Sequence, residues 1–139
     1  MAANLKPIFI KQGNFLPARI AAANTASDGS GTLVDVVIAA LDGTRVDGVR
    51  FINSQATAAA AGAKVWRIFL TDTSNTNPRL VGEVSQTAAT RSTTAVGQTA
   101  VYTFDQPIIM LSGQRLSVIR SVYAGAQDQT DATAFANDY

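Results

Sequence analysis

Apolar and polar residues alternate along this chain in short runs closed by turn dipeptides, a period of two that predicts strands and not helices. Residues 64–71 (KVWRIFLT) show it best. Trp66, Ile68 and Leu70 fall on one face, and Val65, Arg67, Phe69 and Thr71 on the other. Bulky apolar groups on both faces predict a central strand with one face in the core. Residues 33–39 (LVDVVIA) are rich in β-branched side chains and predict another strand. Residues 45–54 place Val49, Phe51 and Asn53 opposite Arg50 and Ile52, and residues 115–123 place Leu116, Val118, Arg120 and Val122 opposite Ser117, Ile119 and Ser121. Further strands are expected at 79–84, where Gly82 marks a bulge or a close packing point, and at 99–104. Shorter pieces are expected at 8–11, at 108–111 between Pro107 and Gly113, and at 19–22, an edge position because Pro17 cannot donate to a ladder.

The intervening segments read as turns and loops. Asp28-Gly29 and Asp42-Gly43 are turn dipeptides, and 72–78 (DTSNTNP) is a loop by composition. Residues 87–98 are Thr-rich, have no usable period and predict a long exposed loop. The alanine run within 55–62 favours a helical turn but is too short to stand as a helix, so it is a connection. About eight short strands with turns between them predict an all-β antiparallel sandwich or barrel. An extended N-terminal arm over residues 1–17 precedes one domain over 18–139, which ends in a polar, irregular C-terminal tail from residue 127.

Composition narrows the partners. The chain has 139 residues, 47% of them apolar, enough for one core. Only 15% are charged, against ~25% in ordinary soluble domains, so a surface of this kind loses little on desolvation against another protein. Eleven basic and ten acidic residues leave a net charge of +1 with no basic run, which argues against nucleic acid as a partner. No segment is apolar enough over a sufficient length to span a bilayer, the N-terminus lacks the long apolar region of a signal peptide, and no membrane partner is expected.

Candidate chemistry is sparse. Without His or Cys the usual nucleophile–base pairs, thiolate metal sites and disulfides are excluded. The acidic residues of Asp28-Gly29, Asp42-Gly43 and Asp47-Gly48 fit turns, where Asp bonds local backbone N–H groups, better than acid–base catalysis. Residues 28–31 (DGSG) offer oxygen ligands, but the spacing is not that of a calcium loop and no Glu closes it. Trp66 is the single tryptophan, and Tyr102, Phe104 and Tyr123 alternate with small residues inside strands, so they are expected to pack in a core or interface. Arg67 and Arg120 interrupt apolar strand faces, marking either an edge or solvent-facing position or an inter-subunit ion pair. The chain is expected to be no enzyme and to need no cofactor and no metal.

A set of motifs resembles the small β-sandwich accessory proteins of tailed-bacteriophage particles. It begins with the turn Ser27-Asp28-Gly29-Ser30, then Gly43-Thr44-Arg45-Val46 leading into Val49-Arg50-Phe51-Ile52. It continues through residues 65–72 (VWRIFLTD), 80–84 (LVGEV) and 111–118 (LSGQRLSV), and closes on Asn137-Asp138-Tyr139. The resemblance spans about residues 27–139, and its motifs are structural, with no catalytic residue to carry over. It implies a jelly-roll-like sandwich, a homotrimer, and a place on the capsid exterior as a decoration or cement protein bound to the major capsid protein after synthesis in the host cytoplasm. Tail, fibre and head–tail connector subunits share that architecture, and a carbohydrate-binding module for host surfaces is the alternative of another class. Contacts with the particle are expected in the arm (Leu5, Lys6, Pro7, Ile8 and Phe9), in the 87–98 loop with Arg91, and in the C-terminal tail with Phe135 and Tyr139.

Overall fold

The computed structural model describes residues 9–54, 60–92, 94–122 and 128–139. It contains eleven strands: β1 (Gln12–Gly13), β2 (Ala18–Ile20), β3 (Val34–Ile38), β4 (Thr44–Asn53), β5 (Ala60–Ala61), β6 (Lys64–Thr71), β7 (Arg79–Gln86), β8 (Ala89–Thr90), β9 (Thr99–Met110), β10 (Arg115–Arg120) and β11 (Thr130–Asp138). There is no helix among the described residues. The first sheet has the order β1-β11-β4-β9, with β2 beside β1 along the same edge of β11; the second has the order β3-β10-β6-β7, and β5 pairs with β8 in a small ribbon. All pairings are antiparallel. From β2 to β11 the chain passes repeatedly from one large sheet to the other, and only β6–β7 is a long hairpin within one sheet. This is a jelly-roll sandwich.

The alternation along β4 and β6 puts Phe51 and Trp66 face to face between the sheets, their rings 4.4 Å apart and inclined by 12°. Around them Val46, Val49, Ile68, Met110, Leu116 and Val118 are fully buried. β11 adds only Ala132, Ala134 and Ala136 to this interior, so the opposite sheet and β4 supply the bulk. On the open side of the sandwich Tyr102 lies across Gly82, and its hydroxyl donates to the Val81 carbonyl at 3.4 Å, linking edge strands β9 and β7. Gly82 thus marks a close packing point, and it also lies next to a register shift between β6 and β7.

A second apolar layer lies outside the second sheet. Phe69 and Ile119 point away from the main core and are still buried. The β2–β3 connection folds over them: Gly29, in a left-handed conformation at φ +83°, comes so close that a β-carbon there would lie 2.7 Å from Pro78 and 3.1 Å from Phe69. The Asp28-Gly29 turn holds as read, since the Asp28 carboxylate accepts from the Ser30 backbone N–H at 2.9 Å.

Four expectations are corrected. The C-terminal segment is not an irregular tail but β11, which pairs with β4 over its whole length and with β1 and β2 on its other edge. The two apolar pieces at 99–104 and 108–111 are one strand, because β9 is an edge strand and the missing N–H of Pro107 breaks no required bond. Asp47-Gly48 is a bulge inside β4, not a turn: Val46 and Gly48 pair with Ile108 and Thr103, and Asp47 bonds Arg45. The 87–98 loop contains β8, which pairs with β5. Of the connection expected at 55–62, residues 55–59 lie outside the described residues, and Ala60–Ala61 form strand β5.

Candidate interaction surfaces

The N-terminal segment is fastened at one end of the sandwich. Lys11 donates its backbone N–H to Asp138 at 2.9 Å and pairs its ammonium with Asp42 in the β3–β4 turn. Asn14 donates to the Asp138 carboxylate at 2.8 Å and to the Ile38 carbonyl at 3.0 Å. Asp138, itself buried, also accepts from the Thr44 hydroxyl at 2.6 Å, so arm, turn and last strand share one carboxylate. Tyr139 closes the same corner, its N–H donating to Gly43 at 3.2 Å. The turn after β9 lies alongside, bonded to Ala39 through Gly113 and Gln114.

This fixed frame carries large apolar side chains into solvent. Phe9 is 73% exposed, Leu41 86% and Leu111 69%, and Ile10 and Phe15 are exposed as well. The segments that carry them meet at the end of the sandwich where β4 begins, an apolar rim in that sense. Of the arm residues expected at a contact, Phe9 belongs to this rim; Leu5, Lys6, Pro7 and Ile8 lie outside the described residues.

Arg91 is at the other end. It is half-buried and borders an open cleft of about 590 Å³ together with Ile52, Ser54, Ser92 and Thr94 at the end of β4. The Ser92 hydroxyl accepts from the backbone of Thr94 and Ala95, so that turn is held by its own residues. β4 has ten residues, about 30 Å at strand rise. Arg91 therefore cannot share a contact with Phe9 and Tyr139.

Phe135 is elsewhere again, on the outer face of the first sheet. Register places it in a row with Gly48 and Thr103; the next row holds Thr133, Arg50 and Val101, and a third holds Asn137, Arg45 and Ile109. The Arg50 guanidinium lies 6.0 Å from the Phe135 ring centre. Arg19 and Asp131 form an ion pair at 3.0 Å beside these rows, and that hydrogen bond holds the Asp131 carboxyl below its usual range. The expected contact residues thus occupy three separate places, not one site.

The polar residues of the interior serve the fold. Lys64 and Arg120 are wholly buried and converge on Asp128: the Lys64 ammonium donates to its carboxylate at 2.5 Å, and Arg120 donates to its carbonyl at 2.6 Å with the carboxylate 3.5 Å away. Arg120 also donates to the Ala22 carbonyl at 3.2 Å. It occupies neither an edge nor an inter-subunit position, because it shares the inward phase of Leu116 and Val118; its place on that face was visible in the sequence, but not its partner 8 residues on. Arg67 forms an ion pair with Glu83 across β6 and β7 at 2.7 Å. Trp66 donates its indole N–H to Gln86 at 3.0 Å.

Asp72 organises the β6–β7 turn, accepting from the backbone and hydroxyl of Thr76, from Asn77 and from the Ser74 N–H. These donors, Thr76 foremost, hold its carboxyl below the usual range. Among the described residues no group of three His, Cys, Asp or Glu side chains could hold a metal ion, and no helix is long and apolar enough to cross a membrane.

No family model and no curated protein matches the chain. Among solved structures it is similar to Eiger TNF from S. frugiperda, at 10% identity over 92% of both chains with a TM-score of 0.37. At that identity and score nothing about function passes from that protein to this one.

Proposed function

We propose that the chain is a structural subunit of a tailed-bacteriophage particle, a decoration protein that binds the major capsid protein from the capsid exterior. The observation that carries this reading is the apolar rim. Phe9, Ile10, Leu41 and Leu111 stand in solvent on a frame whose backbone is tied down at Asp138, Gly43 and Ala39. Exposed apolar side chains gathered at one end of the fold on a fixed backbone fit a protein contact. The sequence resemblance supplies the kind of partner, and the low charge suits repeated burial against a lattice. Many moderate contacts of this kind combine through multivalency, and closure about a local threefold gives the homotrimer.

Deleting residues 1–10 spares Lys11 and β1 while removing Phe9 and Ile10 from the rim. The truncated chain is expected to keep its melting temperature and to lose its occupancy on particles. Full occupancy after the deletion contradicts the assignment of the rim, and retention on isolated tails instead of capsids moves the chain to the tail.

A further inference from the structure

Lys64 and Asp128 meet across the two large sheets. Lys64 opens β6 in the second sheet, and Asp128 stands two residues before β11 in the first. Both are held by their surroundings. Lys64 pairs with Gln86 of β7, Thr130 pairs with Asn53 of β4, and the Ser54 N–H donates to the Gln129 carbonyl at 2.9 Å. Arg120 donates to the Asp128 carbonyl at 2.6 Å, so the backbone that carries the carboxyl group is tied down as well.

This arrangement presses an amine onto a carboxyl group in a dry place. The Lys64 Nζ lies 2.5 Å from one Asp128 oxygen, which is itself bonded to the carboxyl carbon at about 1.2 Å. Neither side chain reaches solvent. Burial removes the solvation of both ions, which narrows the gap between the ion pair and its neutral form, a free amine beside a carboxylic acid. At Lys64 burial favours the free amine, with Arg120 acting in the same sense and Asp128 against it.

We propose that Lys64 and Asp128 condense into an amide bond, a covalent link between the two sheets that spans 64 positions of the sequence. A proton passes from the ammonium to the carboxylate, and the freed lone pair of Nζ attacks the carboxyl carbon. The N–C bond forms as the C=O bond opens to an oxyanion. Arg120, 3.5 Å from the carboxylate, stands by the charge that develops there. The oxyanion then re-forms the C=O bond, and the hydroxyl takes one proton from nitrogen and leaves as water. Ammonium and carboxylate thus give a neutral amide and one water, with no further reagent.

Groups held in such contact react at effective concentrations that reach about 10⁵–10⁸ M, and exclusion of water opposes the reverse hydrolysis. The ion pair is the resting state, so the reaction is slow and a freshly folded chain carries the pair described above. The chain has no cysteine, so this bond takes the place that a disulfide has in other small sandwiches. The inference concerns the chain by itself and is independent of any partner at the rim.

Mass spectrometry of the intact, denatured chain tests it. The wild-type chain, incubated folded over days to weeks, is expected to accumulate a species lighter by one water. Fragmentation of its digest is expected to give one branched peptide that joins the segments of Lys64 and Asp128. Chain incubated in urea should keep its full mass, because the pair is not assembled there, and so should Lys64→Arg and Asp128→Ala. If those variants fail to fold, the branched peptide of the wild type still locates the bond. A wild-type chain that keeps its full mass throughout overturns the proposal, as does equal loss of water in urea. A lost water that maps to Asp28-Gly29, Asp42-Gly43 or Asp47-Gly48, where an Asp can cyclise onto the glycine nitrogen, overturns it too.

Discussion

The Lys64 ammonium lies 2.5 Å from the Asp128 carboxylate with neither side chain reaching solvent, and Arg120 holds the same residue from the other side. Two buried cations depend on one anion. The two ends of the ion pair are therefore unequal. Asp128→Asn removes the carboxylate from Lys64, while Arg120 keeps its bonds to the carbonyls of residue 128 and Ala22, and is expected to cost about 3–5 kcal/mol, enough to threaten folding. Lys64→Met leaves Arg120 on Asp128 and should cost clearly less. Urea midpoints of the two variants check this; equal losses contradict it.

Burial pushes the Lys64 pKa below its usual 10.5, against the opposing pull of Asp128. Between the lowered folded value and 10.5 the unfolded chain binds more protons than the folded one, so the contribution of Lys64 to stability rises with pH across that window. Subtracting the Lys64→Met profile from that of the wild type should isolate a positive slope on the alkaline side. A flat difference would mean that Lys64 titrates normally.

On the acid side the sign is the usual carboxylate one. Thr76, Asn77 and Ser74 hold Asp72 below its ordinary value, so the stabilisation is present above about pH 4 and is lost as pH falls through the folded value. Asp72→Asn should flatten the acid limb of the stability curve and accelerate amide exchange at Ser74 and Thr76, whose N–H groups it anchors.

A β-carbon at Gly82 would lie 2.5 Å from the Tyr102 ring. Gly82→Ala is expected to destabilise by about 1–3 kcal/mol through overpacking. Tyr102→Leu in the same chain should recover part of that loss, a coupling that a double-mutant cycle reads directly. Additive losses would place the strain elsewhere.

The parts of the fold legible in the sequence are those built from large side chains. Trp66, Ile68 and Leu70 alternate so plainly that β6 and its buried face could be read at once, and Phe51 did the same for β4. β11 escaped notice because its inward residues are Ala132, Ala134 and Ala136: the alternation is present but the hydrophobic contrast is weak. β9 was divided at Pro107, since only the topology shows that it is an edge strand. Among the candidate contacts, Phe9 could be marked as apolar near a terminus, but Leu41 and Leu111 are in separate turns that only the bonds to Ala39 bring together. Asp128 likewise gave no sign, because a lone Asp in a polar stretch reads as surface until its two buried cations are seen.

The central claim is attachment to a capsid, and gradient sedimentation of phage particles tests it most directly. Particles produced by the strain that carries the gene are separated from soluble protein, and this chain is quantified against the major capsid protein in each fraction. The account predicts that the chain travels with intact heads in a fixed ratio to the major capsid protein. A chain left in the soluble fractions, or found there while heads are complete without it, contradicts the account.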